Sequence, residues 1–493
     1  MTATIHIGTM ATAKADAIVV FVPQEEKAFK ATMKDIESSV PHVGPLVASG
    51  DFKGKKNSTV VAYGGSSMAS PRLILAGLGN SAEVTVESLR RSAAAAAKRA
   101  ASVEATTCAF VLPSVESLSV GDRAQAIVEA ALLSQYRFDK YRTVRESLGT
   151  LVSKVILVTD KASQKDAKAA LDTALAIVEG TTLARDLANA PNNEIYPESL
   201  AKRALDAGKK SGFKVTVLDK RRIEALKMGG LLGVNKGSAR PPVFIEMSYM
   251  GGKKTDKPVV LVGKGVTFDT GGISIKPSAG MSDMKGDMHG AASVIGTMYT
   301  VAKLKLPINL VALVPATDNM PSGTAIVPGD ILTFMNGKTA EIDNTDAEGR
   351  LILADALCYA DRFKPKTVID LATLTGAIVI ALGSVTTGMM GTDNETMSKL
   401  RAASERTSEY VCELPLHEEY EEQISSDYAD IKNSGGRMAG SITAGLFLKH
   451  FVTYPWVHLD IAGTALLPKP TAYHPKGGSG VGVRLLVDML RNW

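Results

Sequence analysis

Three observations predict an α/β fold in two domains for this chain. Short apolar, β-branched runs alternate with helix-forming segments along nearly its whole length. The later runs are continuously apolar, as strands buried on both faces of a parallel sheet are. At 493 residues the chain is also too long for one hydrophobic core. An apolar fraction of 45%, with 44 Gly and 21 Pro, excludes a disordered or collagen-like polymer.

Residues 17–22 (AIVVFV), 71–79 (PRLILAGLG), 107–112 (TCAFVL) and 154–159 (KVILVT) read as strands of a first domain. The Ala-rich segment 86–103 lies between two of them and reads as a helix. This gives an N-terminal α/β domain over residues 1–162. Residues 163–188 keep helical periodicity and form a connecting helix, stopped by Ala190-Pro191-Asn192-Asn193. The remainder, 189–493, is the second and larger domain. It opens with an amphipathic helix over 197–210 and a strand over 213–218. The runs PVVLV (258–262), INLVALV (308–314) and TVIDL (367–371) then alternate with helices near 291–303 and 350–363. Such a sheet binds ligands beyond the carboxyl ends of its strands. Asn336-Gly337 reads as a hairpin turn between two short strands, not as the end of a phosphate-binding loop.

Charge and cysteine content set further bounds. The net charge of +5, from 56 basic and 51 acidic side chains, is small for this length and does not argue for a nucleic-acid partner. Cys108, Cys358 and Cys412 form no CxxC pair, so a disulfide framework is not expected and a reducing compartment is. The longest apolar stretch, GAIVIALG at 376–383, is under half a membrane span. The opening residues carry no basic stretch leading into an apolar one. A soluble cytoplasmic protein without a membrane partner is the expectation.

The chemistry should then lie just after the apolar strands. PVVLV runs into Gly-Lys264-Gly-Val-Thr-Phe-Asp269-Thr-Gly-Gly, followed by Lys276 and by Met284-Lys-Gly-Asp287-Met. Downstream stands Asn344-Thr-Asp346-Ala-Glu348-Gly-Arg350-Leu. Four carboxylates converging on one strand-end site repel one another, by about 4 kcal/mol for a pair 4 Å apart at an effective dielectric near 20. Divalent cations are the usual compensation, and paired ions bridged by shared carboxylates the usual arrangement. Oxygen donors suit Mg²⁺ or Mn²⁺, and Zn²⁺ accepts them too. Singly, each acid reads as a surface residue; their grouping after apolar strands favours one shared site. Lys264 has two readings of equal weight: a neutral nitrogen ligand beside cations, or an ammonium that balances the acids. Lys276 and Arg350 are cations suited to polarising a carbonyl or holding a carboxylate or carbonate. Arg350 opens a helix, where a cation is unfavourable, and that misplacement points to a role.

These motifs resemble those of the leucyl (cytosol) aminopeptidases, a dimetal exopeptidase family. The resemblance rests on NTDAEGRL together with VGKGVTFDTGG, SIKPSAGM and MKGDM in the same order. The spacing agrees as well: five residues from Lys264 to Asp269, seven more to Lys276 and eleven more to Asp287. It extends to HLDIAGTA from His458 and is weaker over the first 160 residues. It implies a macro-like α/β domain joined by a helix to a larger catalytic α/β domain with a central, mostly parallel sheet. It implies two metal ions, Mn or Zn with Mg or Co as alternatives. Lys264, Asp269, Asp287 and Glu348 would hold the tighter ion. Asp269, Asp346 (with its backbone carbonyl) and Glu348 would hold the more exchangeable one. Lys276 would face the scissile carbonyl, and Arg350 would hold a bicarbonate ion that accepts a proton from the bridging water. Met284, Thr373 and Gly376, with Leu374 beside them, match positions around the first side chain of the substrate. The implied activity is removal of N-terminal residues, Leu and Met foremost but broadly, by a homo-hexamer built as a dimer of trimers. His289 departs from the family pattern; packing behind the site is preferred for it over a role beside the ligands.

Two other classes were weighed. A dimetal phosphoesterase would also cluster carboxylates, but it normally adds histidines that do not accompany these motifs. A DNA-binding role would draw on Lys53, Lys55 and Lys56 or on Arg90, Arg91 and Lys98, for which an ordinary solvated face is the preferred reading.

Overall fold

The computed structural model describes residues 1–65 and 67–493. The described chain divides into two compact units: Met1–Val178 with Lys469–Pro475, and Glu179–Pro468 with Lys476–Trp493. Each is built on its own sheet, and both are α/β.

The first unit holds a six-stranded sheet. Its strands are β1 (Thr2–Ile7), β2 (Ala17–Pro23), β3 (Thr59–Tyr63), β4 (Arg72–Gly79), β5 (Thr107–Val111) and β6 (Lys154–Thr159). They lie in the order β1-β6-β5-β2-β4-β3, and only β3 runs antiparallel to its neighbour. The helix Val86–Ser102 opens with a capping box between Thr85 and Ser88 and buries its Ala face. Arg90 departs from both readings given to it, the basic surface and the preferred solvated face. It is 4% exposed and pairs with Glu87, so it presents no charge to solvent. Arg91 is paired with Glu87 as well, and Lys56 with Glu83.

The second unit is centred on a nine-stranded sheet. Its strands are β7 (Lys214–Leu218), β8 (Val243–Met250), β9 (Val259–Gly263), β10 (Gly265–Asp269) and β11 (Asn309–Asn319). A hairpin of β12 (Ile331–Thr333) and β13 (Thr339–Glu341) stands apart, turning through Gly337 at φ 87°. Then follow β14 (Thr367–Ala372), β15 (Thr386–Gly391), β16 (Tyr410–Glu413), β17 (Ile431–Lys432), which joins the hairpin, and β18 (Trp456–Asp460). The order is β16-β15-β18-β14-β9-β11-β8-β7, with β10 on β11. The inner strands β18, β14, β9 and β11 are parallel and buried throughout, in keeping with their mainly apolar sequences. No helix among the described residues is long and apolar enough to cross a membrane.

One irregularity positions everything that follows. β9 pairs with β14 on one side as far as Gly263 and with β11 on the other as far as Val262. After Lys264 the chain continues as β10 along β11 alone. The sheet therefore splits at Lys264, and a cleft opens between β10 and the end of β14. The helix His289–Lys303 packs at the split, where Gly290 lets the Leu371 carbonyl come close: a Cβ there would meet that oxygen at 2.1 Å.

The helix Glu348–Ala360 is held from beneath by Asp355. This fully buried carboxylate accepts the backbone N–H groups of Leu231 and Met335, each at 2.9 Å. Burial pushes its pKa up to about 7, against the pull of those N–H groups. The native state thus holds the proton more tightly than the unfolded chain does. This group's contribution to stability is full below about pH 4 and falls as pH rises through about 7. In the chelated protein, the urea midpoint of the wild type should drop more between pH 5 and pH 8 than that of Asp355→Asn. Parallel profiles would refute the assignment.

Candidate active site

The cleft at the split is a cavity of about 520 Å³. Lys264, Asp269, Lys276, Asp287 and Asp346 line its charged side. Met284, Thr373, Leu374 and Gly376 line another part, so all four residues expected around the first substrate side chain border this one space. Val379, Ala462, Ala465 and Leu466 extend the apolar wall and were not expected from the sequence. Glu348 and Arg350 do not line the cavity; both are buried, at 1% and 7% exposure.

Each charged residue arrives by a local device. Lys264 stands at the split, its backbone N–H donating to the Leu371 carbonyl at 3.0 Å. Its stem needs Gly349 opposite, where a Cβ would lie 2.6 Å from Lys264 Cε. Asp269 ends β10, and the turn after it passes through Gly271 and Gly272 at φ 88° and 66°, a region that favours glycine. The short 3₁₀ segment Met281–Gly286 brings Met284 and Asp287 together. Asp346 lies in the loop before the helix Glu348–Ala360, and Glu348 is its first residue.

Asp269, Asp346 and Glu348 each bring a carboxylate oxygen to within 4.8 Å of the others. Asp287 joins them through Lys264. The ammonium lies 2.8 Å from Asp287 Oδ2 and 2.7 Å from Glu348 Oε1, and donates to the Thr373 carbonyl at 2.9 Å. Thr373 Oγ1 in turn donates to Asp287 Oδ1 at 2.7 Å. Lys276 pairs with Asp269 Oδ2 at 2.8 Å and with Asp346 Oδ1.

Four acids thus face two lysines, so full ionisation would leave two negative charges in excess in a mostly buried site. The excess shows in the proton affinities. Burial, then repulsion from Asp269, pushes the Glu348 pKa up to about 8. Burial likewise brings Asp287 to about 6 despite Lys264, and Asp346 is raised by burial and by Asp269. Burial works against the charge of Lys264, but Asp287, Glu348 and Asp269 together outweigh it and raise its pKa. Among the protein's own charges Lys264 is therefore an ammonium. Glu348 Oε2 is buried with no hydrogen-bond partner among the described residues. A buried, unpaired carboxylate oxygen in a surplus of negative charge fits a divalent cation.

Arg350 donates from Nη1 to the Asn433 carbonyl at 2.7 Å, while its buried Nε has no partner among the described residues. Burial lowers its pKa to about 10 against the attraction of Glu348 and Asp460, so it stays charged at neutral pH. His289 is fully buried and does not border the cavity. Its Nε2 accepts the Gly480 N–H at 3.2 Å, and burial, with Arg185 nearby, lowers its pKa to about 4. It packs behind the site as a neutral ring.

Three buried side chains that the motifs did not single out tie these pieces together. Asn433 accepts from the Asp343 N–H at 2.8 Å and donates to the Asn344 carbonyl at 2.7 Å, bracing the loop of Asp346. Asp460, at the end of β18, accepts the N–H of Leu374 at 3.1 Å and the Thr375 hydroxyl at 2.6 Å, shaping the wall of the cavity. Asn319 reaches Asp269 from the end of β11. Only Asp460, inside HLDIAGTA, stood in a motif; the other two carry no local signal.

The chain matches the catalytic domain of the cytosol aminopeptidase family over residues 182–487 and that family's N-terminal domain over 17–145. It is 45% identical over 484 residues to a probable cytosol aminopeptidase of Syntrophotalea carbinolica, covering 97% of each chain. It is 46% identical to another from Geobacter sulfurreducens, covering 91% of this chain and 90% of that one. Among solved structures it resembles a mutant of tomato leucine aminopeptidase, with a TM-score of 0.86 at 30% identity, covering 100% of this chain and 97% of the other. It also resembles the bottromycin maturation enzyme BotP in complex with Mn, with a TM-score of 0.85 at 34% identity, covering 97% and 99%. Two domain matches and near-complete coverage at such identity establish that this chain belongs to the cytosol aminopeptidase family and is a metalloaminopeptidase.

Proposed function

We propose that the cleft holds two divalent ions and removes N-terminal residues from peptides, favouring Leu, Met and other apolar side chains without strict selection. One observation carries this reading: four clustered carboxylates face only two lysines, and a buried oxygen of Glu348 is left unpaired. In it, Lys264, Asp269, Asp287 and Glu348 hold one ion. Asp269, Asp346 and Glu348 hold the more exchangeable one. Mn²⁺ is the favoured identity, since the similar BotP structure is a Mn complex, with Zn²⁺ the runner-up. When bound, such ions act as Lewis acids and bring the pKa of water to about 7.

The chain's own residues do the rest. Lys276 keeps its proton, because burial works against its charge but Asp269, Glu348 and Asp346 together outweigh it, and it is poised to donate to the scissile carbonyl oxygen as negative charge develops there. Arg350 keeps its charge, and its Nε, without a partner among the described residues, is available to an anion. On the family resemblance, bicarbonate held by Arg350 is the proposed proton acceptor, and it fits a cavity that no histidine borders among the described residues. Met284, Thr373 and Gly376, with Leu374 beside them, receive the first side chain. Their apolar character separates substrates by only about 1–3 kcal/mol per methylene, so specificity is broad. A homo-hexamer working in the cytoplasm completes the proposal, on the family resemblance.

Asp269→Ala and Glu348→Ala should each lose bound metal by elemental analysis and, with it, turnover of leucine p-nitroanilide. Near-normal turnover by either variant would overturn the ligand assignment. Arg350→Ala should retain its metal, lose part of the rate and regain some of it with added bicarbonate. The bicarbonate role would fall if neither that variant nor the wild type responded.

A further inference from the structure

β11 is buried along its whole length and ends at Asn319, outside every motif that carries the family resemblance. The Asn319 side chain is 2% exposed and bridges two of those motifs. Its Nδ2 donates to Asp269 Oδ1 at 2.8 Å and to the Thr345 carbonyl at 3.1 Å. Both partners are acceptors only, so the amide nitrogen must face them, and a carboxylate in its place would set oxygen against oxygen. Its main chain grips the same turn: the Asn319 carbonyl accepts the Thr270 N–H at 3.0 Å and the Thr270 hydroxyl at 2.8 Å.

The consequence for Asp269 is directional. Oδ1 receives two donors, Asn319 Nδ2 and the Gly271 N–H at 2.9 Å. Oδ2 is left turned toward Lys276, at 2.8 Å. The second bond of the amide fixes the peptide that enters Asp346. One buried side chain thus sets the spacing between the two loops that supply carboxylates, and it selects which oxygen of Asp269 faces Lys276.

We propose that Asn319 is a positioning residue for the metal site, orienting Asp269 and the Asp346 loop through its two amide hydrogen bonds. This rests on the two-ion reading given above. Groups that orient metal ligands by hydrogen bonds typically contribute 10- to 100-fold to affinity. Mn²⁺ titrations, with the free ion followed by electron paramagnetic resonance, test it on the wild type, Asn319→Leu and Asn319→Asp. Melting of the chelated proteins is measured alongside. The wild type should take up two ions per chain. Asn319→Leu should weaken uptake about 10- to 100-fold, most in the weaker step, to which both bridged loops contribute. Asn319→Asp should weaken it too, although it adds a negative charge, because it removes the donor. Asn319→Asp has nearly the same volume and carries the test alone should Asn319→Leu not fold. Variants that melt lower yet bind Mn²⁺ as the wild type does would reduce Asn319 to a structural role and overturn the inference alone, as would tighter binding by Asn319→Asp. A wild type taking up fewer than two ions would overturn the two-ion reading, and the inference with it.

Discussion

The imbalance between four clustered carboxylates and two lysines governs the catalytic unit. Like charges held in a partly dry cleft cost several kcal/mol per pair at the effective dielectric of a protein. The fold lowers that cost in two ways. Lys264 and Lys276 each bridge two acids, and they join different pairs: Lys264 takes Asp287 and Glu348, Lys276 takes Asp269 and Asp346. What two monocations leave uncompensated is a surplus that suits doubly charged ions. Burial first, and then the repulsion of Asp269, drives Glu348, the most enclosed acid, toward its protonated form.

Such a cluster needs a rigid frame, and the sheet provides it by splitting. Were β9 and β10 one strand paired on both sides, the Lys264 side chain would be lost in a continuous core. Because β14 stops pairing at Gly263 while β11 runs on to Asn319, the cleft has one wall made of strand and one made of loop. The strand wall carries Asp269 and the amide that orients it. The loop wall carries Thr373 to Gly376, held by Asp460 from the next strand. The charged side chains and the apolar wall thus border one cavity.

Much of this was legible in the residues. The apolar runs at 258–262 and 367–371 marked two inner strands to within a residue, the run at 308–314 stopped five residues short of the end of β11, and β18 was not read as a strand; Pro197 opened its helix at the first position, where its missing N–H is harmless. Lys264, Asp269, Lys276, Asp287 and Asp346 stood in motifs whose members do border one cavity. Arg90 was misread because a helix-face arginine and a buried one have the same local sequence; the difference lies in Glu87, which pairs with it, and in the Ala-rich packing around it. Asn319 and Asn433 gave no signal, since an asparagine at a strand end is ordinary until its partners are known.

By itself the sequence determined which chemical groups are present and in what local setting: acids and lysines after apolar strands, with glycines where the backbone must turn or approach closely. Those properties are read over a few residues, and so they survive without a fold. Only the tertiary structure decided which oxygen meets which nitrogen, that Glu348 and Arg350 sit behind the cavity, and that His289 is a neutral packing residue. Each of those depends on contacts between segments tens to hundreds of residues apart, and such contacts exist only once the sheet has assembled and split.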